Sequence, residues 1–332
     1  MPAKFPPQSC AVKRRGFTII ELLVAVSITV VMVGLMLTVV TNVLTLWNRT
    51  SGDLSAENQA RHALDLLARD LQGAVIRTDG NVWLAATVQA TSGAAGMTGE
   101  SWTAGGGTLK PTGAESLRLG PALVPAVNDD GAGFEAARFG QGGMWLRLFT
   151  VESAAGQPSA PRAVSYQLAR RAVGDVYNYQ LFRSSVSPEN TFNTGYDLFM
   201  APATTSYNTG SAAAARGVGT IRRPRADFLL ANDVIDFGVR FFATDGTVLF
   251  PSRASDIGLA ATSDQTKLPP EGGVPEYGFP GIADVFLRIL TPEGARQIRA
   301  LEAGDIAGNW WEIALANSQV YTRRVMIASR PL

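Results

Sequence analysis

The sequence predicts an α+β chain in which one long N-terminal helix is laid on an antiparallel β-sheet carrying long loops. Three observations carry that expectation. Apolar residues run almost without a break from Phe17 to Trp47. Leucines then recur mostly at helical spacing as far as Val75. After Gly73 the pattern changes to short apolar or alternating runs, divided by Gly-, Pro- and Ser-rich stretches. Helix first and strands afterwards is the α+β order, not the strand–helix alternation of a parallel sheet.

Residues 1–16 hold Pro6-Pro7, four basic residues (Lys4, Lys13, Arg14, Arg15) and no acid. They are expected to be an unstructured leader. Residues 17–47 exceed the roughly 20 apolar residues that cross a bilayer, and they contain one charge, Glu21. They are read as a transmembrane helix. Residues 48–76 are read as the outer half of the same helix, with Gly52 as a point where it can kink. Leu54, Leu64, Leu67, Leu71 and Val75 form its apolar stripe. Arg61, Asp65, Arg69 and Asp70 are expected on the opposite faces, with Asp65 and Arg69 paired at i,i+4.

Residues 77–332 are read as one β-rich domain. Strands are expected within 81–90 and at 116–119, 144–151, 163–170, 176–186, 233–244, 247–250, 282–290 and 319–328. Leu146, Leu148 and Thr150 alternate with Arg147 and Phe149, so one face of that strand is expected to be buried. Asp245-Gly246 marks a hairpin turn. Residues 91–114, 187–226 and 251–280 read as loops. A short helix is expected from Pro292 to Leu301, with proline in its first turn. There is no internal repeat.

The most informative stretch is the junction Lys13-Arg14-Arg15-Gly16-Phe17-Thr18-Ile19-Ile20-Glu21-Leu22-Leu23-Val24. A carboxylate in hydrocarbon costs about 2.5–3.5 kcal/mol even on the gentler insertion scales. It persists where it has a partner or a task. The pattern Gly16-Phe17-Thr18-x-x-Glu21-Leu22-Leu23-Val24 resembles the N-terminus of type IV prepilins and type II secretion pseudopilins. That resemblance implies a pilin-like fold. It also implies cleavage between Gly16 and Phe17 by a prepilin peptidase that recognises the basic Lys13, Arg14 and Arg15, followed by N-methylation of Phe17. Glu21 would then be the fifth residue of the mature chain, about one helical turn from a new α-amine. In a filament its carboxylate would pair with the Phe17 amine of a neighbouring subunit and set the register between them.

Other targeting readings account for less. A plain signal anchor leaves Gly16-Phe17 unexplained. A secretory signal has an apolar region of 7–15 residues ending in a small-residue site, whereas this run is twice as long and is followed by Asn48-Arg49-Thr50-Ser51-Gly52. A twin-arginine signal fits Arg14-Arg15 but not the strongly apolar run with Glu21.

Two weaker resemblances concern the rest of the chain. The segment 61–72 (Arg61-His62-Ala63-Leu64-Asp65 to Gln72) resembles the equivalent helix of J-type minor pseudopilins. Trp310-Trp311-Glu312-Ile313-Ala314-Leu315-Ala316-Asn317-Ser318 and Tyr321-Thr322-Arg323-Arg324-Val325 resemble the Verru_Chthon cassette protein C family, prepilin-type proteins of unsettled function. The large, loop-rich outer domain suits a minor subunit, because a dense filament wall favours compact copies.

The precursor has a net charge of +1. Losing Lys4, Lys13, Arg14 and Arg15 with the leader would make it −3, which leaves no basic footprint for nucleic acid. The single cysteine, Cys10, lies in the leader, so the mature chain would form no disulfide and its outer domain would stand on its hydrophobic core. The basic leader places the N-terminus in the cytoplasm and the large domain on the far, periplasmic side of an inner membrane.

Candidate chemistry is sparse. The one histidine, His62, reads as a helix-surface residue. No P-loop, H-E-x-x-H or G-x-S-x-G occurs, and Gly105-Gly106-Gly107 precedes no helix. Asn128-Asp129-Asp130-Gly131 is the best calcium candidate, but calcium wants six to eight oxygens and a plain turn is the better reading. Arg222-Arg223-Pro224-Arg225 reads as a solvated loop and Trp310-Trp311 as core. No catalytic residue, metal site or cofactor is expected. The expected function is a minor pseudopilin or pilin-like structural subunit of a type II secretion or type IV pilus-like assembly. Its partners would be a prepilin peptidase, other pilin or pseudopilin subunits and the inner membrane. The alternative is a membrane-anchored binding module that captures an exported substrate or a surface ligand.

Overall fold

The computed structural model describes residues 18–88, 144–151, 160–173, 176–199, 207, 218–221, 224, 226–250, 258–264, 279–308 and 310–328, with backbone alone at 48–49, 169–173, 176–177 and 311. The leader, the strand expected at 116–119, Gly105–Gly107, Asn128–Gly131, Arg222, Arg223 and Arg225 lie outside them. The chain divides into two compact units, one ending at Ser51 and one starting at Gly52.

The first unit is the apolar part of helix α1, Ile19–Gln72. Its side chains from Thr18 to Trp47 are all exposed. The hydroxyls of this stretch are satisfied within the helix: Ser27 Oγ donates to Leu23 O at 2.8 Å, Thr29 Oγ1 to Ala25 O at 2.8 Å and Thr45 Oγ1 to Thr41 O at 2.8 Å. That matters in lipid, where no water is available to take them.

Among the described residues the second unit holds ten strands in two antiparallel sheets. The strands are β1 Leu84–Val88, β2 Met144–Val151, β3 Pro161–Val173, β4 Val176–Ser185, β5 Leu229–Asn232, β6 Val234–Phe242, β7 Val248–Phe250, β8 Gly258–Ala261, β9 Ile282–Leu290 and β10 Ser318–Met326. One sheet has the order β5-β4-β3-β2-β1-β8, the other β10-β9-β6-β7. Three short helices accompany them: α2 Pro188–Thr194, α3 Pro292–Ala303 and α4 Trp310–Ala316. The class is α+β, as the sequence predicts, with the β-structure split between two sheets.

The main core lies between the sheets and the outer part of α1. The helix contributes Ala56, Ala60, Ala63, Leu64, Leu67, Ala68 and Leu71, a stripe at helical spacing. The six-stranded sheet supplies Leu146, Leu148, Tyr166 and Leu181, and the four-stranded sheet Phe237, Val239, Val285 and Leu287. Each buried leucine is worth roughly 1.5–3 kcal/mol. Leu54 departs from the expected stripe and is exposed. Small alanines occupy the first buried turns instead, so the seam there is narrower than the leucine spacing suggests. Asp65 accepts from Arg323 of β10, not from Arg69.

The larger sheet is covered on both faces, which corrects the one-face reading of β2. Trp145, Arg147 and Phe149 point away from α1, yet all are buried. Their cover comes from the stretch read as loop. Leu198, Tyr207 and a single-turn helix at Val218–Ile221 pack there against Trp83, Trp145, Phe149 and Phe182, and helix α2 meets β3, where Thr191 Oγ1 accepts from Ala163 N at 3.1 Å. Trp145 Nε1, Ser165 Oγ and Gln167 Nε2 all donate to Ile221 O, at 3.0, 2.8 and 3.3 Å. Strand β8 falls within a stretch also read as loop. It pairs with β1 through Leu84↔Ala261 and Ala86↔Leu259. Its Gly-Leu-Ala-Ala sequence carries too little β-branching to announce a strand.

The hairpin turn after β6 is present at Gly246, φ 89°, a conformation that favours glycine. Helix α3 starts on Thr291, whose Oγ1 accepts from Gly294 N at 3.1 Å, and ends on Gly304 in the left-handed region. Trp310 is buried, as the core reading expects; it stands on helix α4 with its ring 5.6 Å edge-on from Tyr179 of β4. Its Nε1 donates to Glu302 Oε1 at 3.0 Å.

Candidate processing and assembly site

Helix α1 begins where a hydroxyl residue meets the apolar run. Thr18 is its N-cap, with its carbonyl accepting the first helical bond from Leu22 N at 3.1 Å. Its side chain and that of Glu21 close on one another. Thr18 N–H donates to Glu21 Oε2 at 2.9 Å, and the Thr18 hydroxyl donates to the same oxygen at 2.9 Å. Glu21 N–H in turn donates to Thr18 Oγ1 at 3.2 Å. This is a capping box, which satisfies donors that a helix start leaves without partners. The carboxylate also sits at the N-terminal end of the helix dipole, where negative charge is favoured.

Two consequences follow for Glu21. Its charge is partly satisfied within its own chain. Both donations fall on Oε2, and among the described residues nothing donates to Oε1. Gly16, Phe17 and the basic Lys13, Arg14 and Arg15 lie just before the described residues. The sequence brings attention to Glu21 but passes over Thr18. The signal was present as a hydroxyl residue three places before an acid, ahead of an apolar run.

Elsewhere, one buried polar cluster went unread. Asp70, expected on the solvent face of α1, is 2% exposed. Arg183 of β4 donates to it through Nε to Oδ2 at 2.7 Å and Nη2 to Oδ1 at 2.9 Å. Tyr166 of β3 donates its hydroxyl to Oδ2 at 2.5 Å. Thr150 of β2 adds a bond to the Asp70 carbonyl at 2.9 Å. Burial, and then the Asp70 charge, push the Tyr166 pKa well above its ordinary value. Burial works to lower the Arg183 pKa, but its bonds to Asp70 outweigh that and raise it. The cluster ties the last turn of α1 to three strands. Nothing in the sequence distinguishes Asp70 from Asp65 except its phase, one step off the leucine stripe.

His62 is exposed on α1. Among the described residues no three His, Cys, Asp or Glu side chains gather into a metal-holding group. The chemistry the described residues support is therefore that of the N-terminal junction: a helix long and apolar enough to cross a membrane, started by a capping box.

Residues 12–37 match the family model of the prokaryotic N-terminal methylation motif. The N-terminal segment is thus of the prepilin cleavage-and-methylation type. The match ends at Leu37 and says nothing of the two-sheet domain. No curated protein and no solved structure matches the chain.

Proposed function

We propose that this chain is the precursor of a minor pilin or pseudopilin subunit, a structural component and not an enzyme. A prepilin peptidase would cut between Gly16 and Phe17 after recognising Lys13, Arg14 and Arg15, and Phe17 would be N-methylated. The apolar part of α1 would hold the subunit in the inner membrane, with the N-terminus cytoplasmic and the two-sheet domain extracytoplasmic. Assembly with other subunits would rest on helix–helix packing in lipid and on pairing of Glu21 with a neighbour's Phe17 amine. The observation that carries the reading is the methylation motif over residues 12–37, running directly into an apolar helix. The size of the β-rich domain favours a minor over a major subunit, and residues 61–72 resemble the equivalent helix of J-type minor pseudopilins.

The test is the mass of the N-terminal peptide of the membrane-extracted protein. It is expected to begin at Phe17 and to carry one extra methyl group. A chain beginning at Met1, or one cut anywhere other than before Phe17, overturns the proposal. Gly16→Leu is expected to leave the leader attached.

A further inference from the structure

Among the described residues four strands stand at the ends of the two sheets, and three of them are blunted. Strand β7 has three residues, and β5 and β8 have four each. The register slips where β5 meets β4 and again where β7 meets β6. Short strands and bulges are how proteins keep a sheet end from pairing with a foreign chain. Strand β10 has neither device. It runs nine residues without a proline, and its register with β9 is unbroken from Ser318↔Leu290 to Met326↔Ile282.

The phase of β10 shows which backbone groups it offers. Asn317 O accepts from Thr291 N at 2.8 Å, and Ile327 N donates to Gly281 O at 2.9 Å. Odd-numbered residues therefore turn their N–H and C=O towards β9. The two-residue period turns those of Val320, Thr322 and Arg324 off the sheet, where no described strand pairs with them. Val320 and Met326 are 44% and 61% exposed, on the same face as these groups. Charged side chains are the other usual guard of an edge, and here both are drawn back. Arg323 pairs with Asp65 of α1, and Arg324 grips Asp284 of β9 at 2.6 and 2.7 Å.

We propose that β10 is a docking edge, which takes an extended segment of another polypeptide as an added antiparallel strand, its apolar residues facing Val320 and Met326. Main-chain bonds would supply the affinity and the alternate side chains the selectivity. A second copy of β10 is the poorer occupant on the function proposed above. Tyr321 lies near the charges of Asp53 and Glu57, and Arg323 meets Asp65 further on, so β10 runs in the direction of α1. A copy pairing antiparallel would turn the outer part of its α1 end for end, whereas copies inserted by the same terminus share one direction.

The probe is a labelled peptide of alternating valine and threonine, as long as β10, with a lysine at each end. Binding to the full chain in detergent micelles is followed by fluorescence anisotropy, with empty micelles as the blank. Thr322→Pro removes one outward N–H and no bond to β9, a position where an edge strand tolerates proline. It is expected to keep the melting midpoint and to weaken binding roughly tenfold or more. Peptides N-methylated on the valines test the same pairing on the unmodified chain, so a misfolded proline variant does not decide the matter. They are expected to bind roughly tenfold more weakly, and peptides methylated on valines and threonines together not at all. Equal binding by plain and fully methylated peptides overturns the inference, as does full binding by a folded Thr322→Pro chain. Self-association of the unmodified chain that Thr322→Pro abolishes gives the edge to a second copy and overturns it too. None of these readouts depends on cleavage before Phe17, so an uncut chain overturns the proposed function and leaves this test standing.

Discussion

Replacing Asp70 with alanine removes the one carboxylate that faces both Arg183 and Tyr166. Its energetic consequence can be worked from their burial. Asp70 is 2% exposed, and the Arg183 side chain is 14% exposed. The substitution leaves a guanidinium and a phenol hydroxyl without their acceptor in a region that admits little water. Breaking a buried pair on one side costs about 3–5 kcal/mol, a large part of the 5–15 kcal/mol that typically holds a domain together. At about 2–4 °C per kcal/mol for a domain of this order, the melting midpoint should fall by roughly 6–20 °C. Removing both charges has a different outcome. Asp70→Leu with Arg183→Leu exchanges the pair for apolar volume, which is often close to neutral, so the double variant should recover at least half of the loss. The assay is thermal unfolding of the full chain in detergent micelles, followed by near-UV circular dichroism. Added salt should change the result little, because a buried pair is weakly screened. A single-variant loss below about 1 kcal/mol, or losses that simply add in the double variant, would refute the reasoning.

Alkaline pH should loosen the fold. Burial raises the Tyr166 and Tyr207 pKa values above the ordinary 10.0, so both favour the protonated folded state; their contribution is complete below pH 10 and is lost as pH rises through the folded values. Their ionisation, read from the ultraviolet absorbance of phenolate, should appear only together with unfolding, and early titration of all tyrosines would contradict it. Phe149→Ala should cost about 3–5 kcal/mol, because Phe149 is buried edge-on against Trp83, Tyr196 and Tyr207 at 5.4, 5.6 and 5.5 Å; a near-zero cost would mean that the second face of the large sheet is not covered. Gly294→Ala should destabilise by about 1–3 kcal/mol although alanine is the better helix former, since a Cβ there would lie 2.7 Å from Asn317 O; equal or higher melting temperature would show that Asn317 yields.

Local pattern made much of this fold readable. Strand β9 was legible to the residue at 282–290, because Val285, Leu287 and Ile289 alternate with charged Asp284 and Arg288 and only one set enters the main core. Strand β2 was legible in position but not in environment. Arg147 between Leu146 and Leu148 reads as a solvent-facing residue, since arginine is almost never fully buried unless paired. Here its guanidinium lies 3.7 Å over the Trp145 ring, and segments far along the chain roof it over. Alternation reports which side chains share a face; it does not report what later lands on that face. The same limit hid β5 and β8, short edge strands recognisable chiefly by the partners they pair with.

The two polar anchors of α1 show the same division between local and distant causes. The Thr18–Glu21 box is a four-residue device, and its residues are sufficient to announce it. Asp70 is not announced, because its meaning depends on Tyr166 and Arg183, which arrive 96 and 113 residues later. By the helix dipole alone an acid in the last turn is misplaced. Its presence there makes sense only once strands β3 and β4 bring a phenol and a guanidinium beneath it. A single acid at each end of one helix therefore answers to opposite logic. Glu21 is stabilised by the helix end it occupies, and both of its intrachain donors fall on Oε2. Asp70 is opposed by its helix end and spends both oxygens on its own domain. The first suits a group kept for assembly, the second a group that fastens the helix to its sheet.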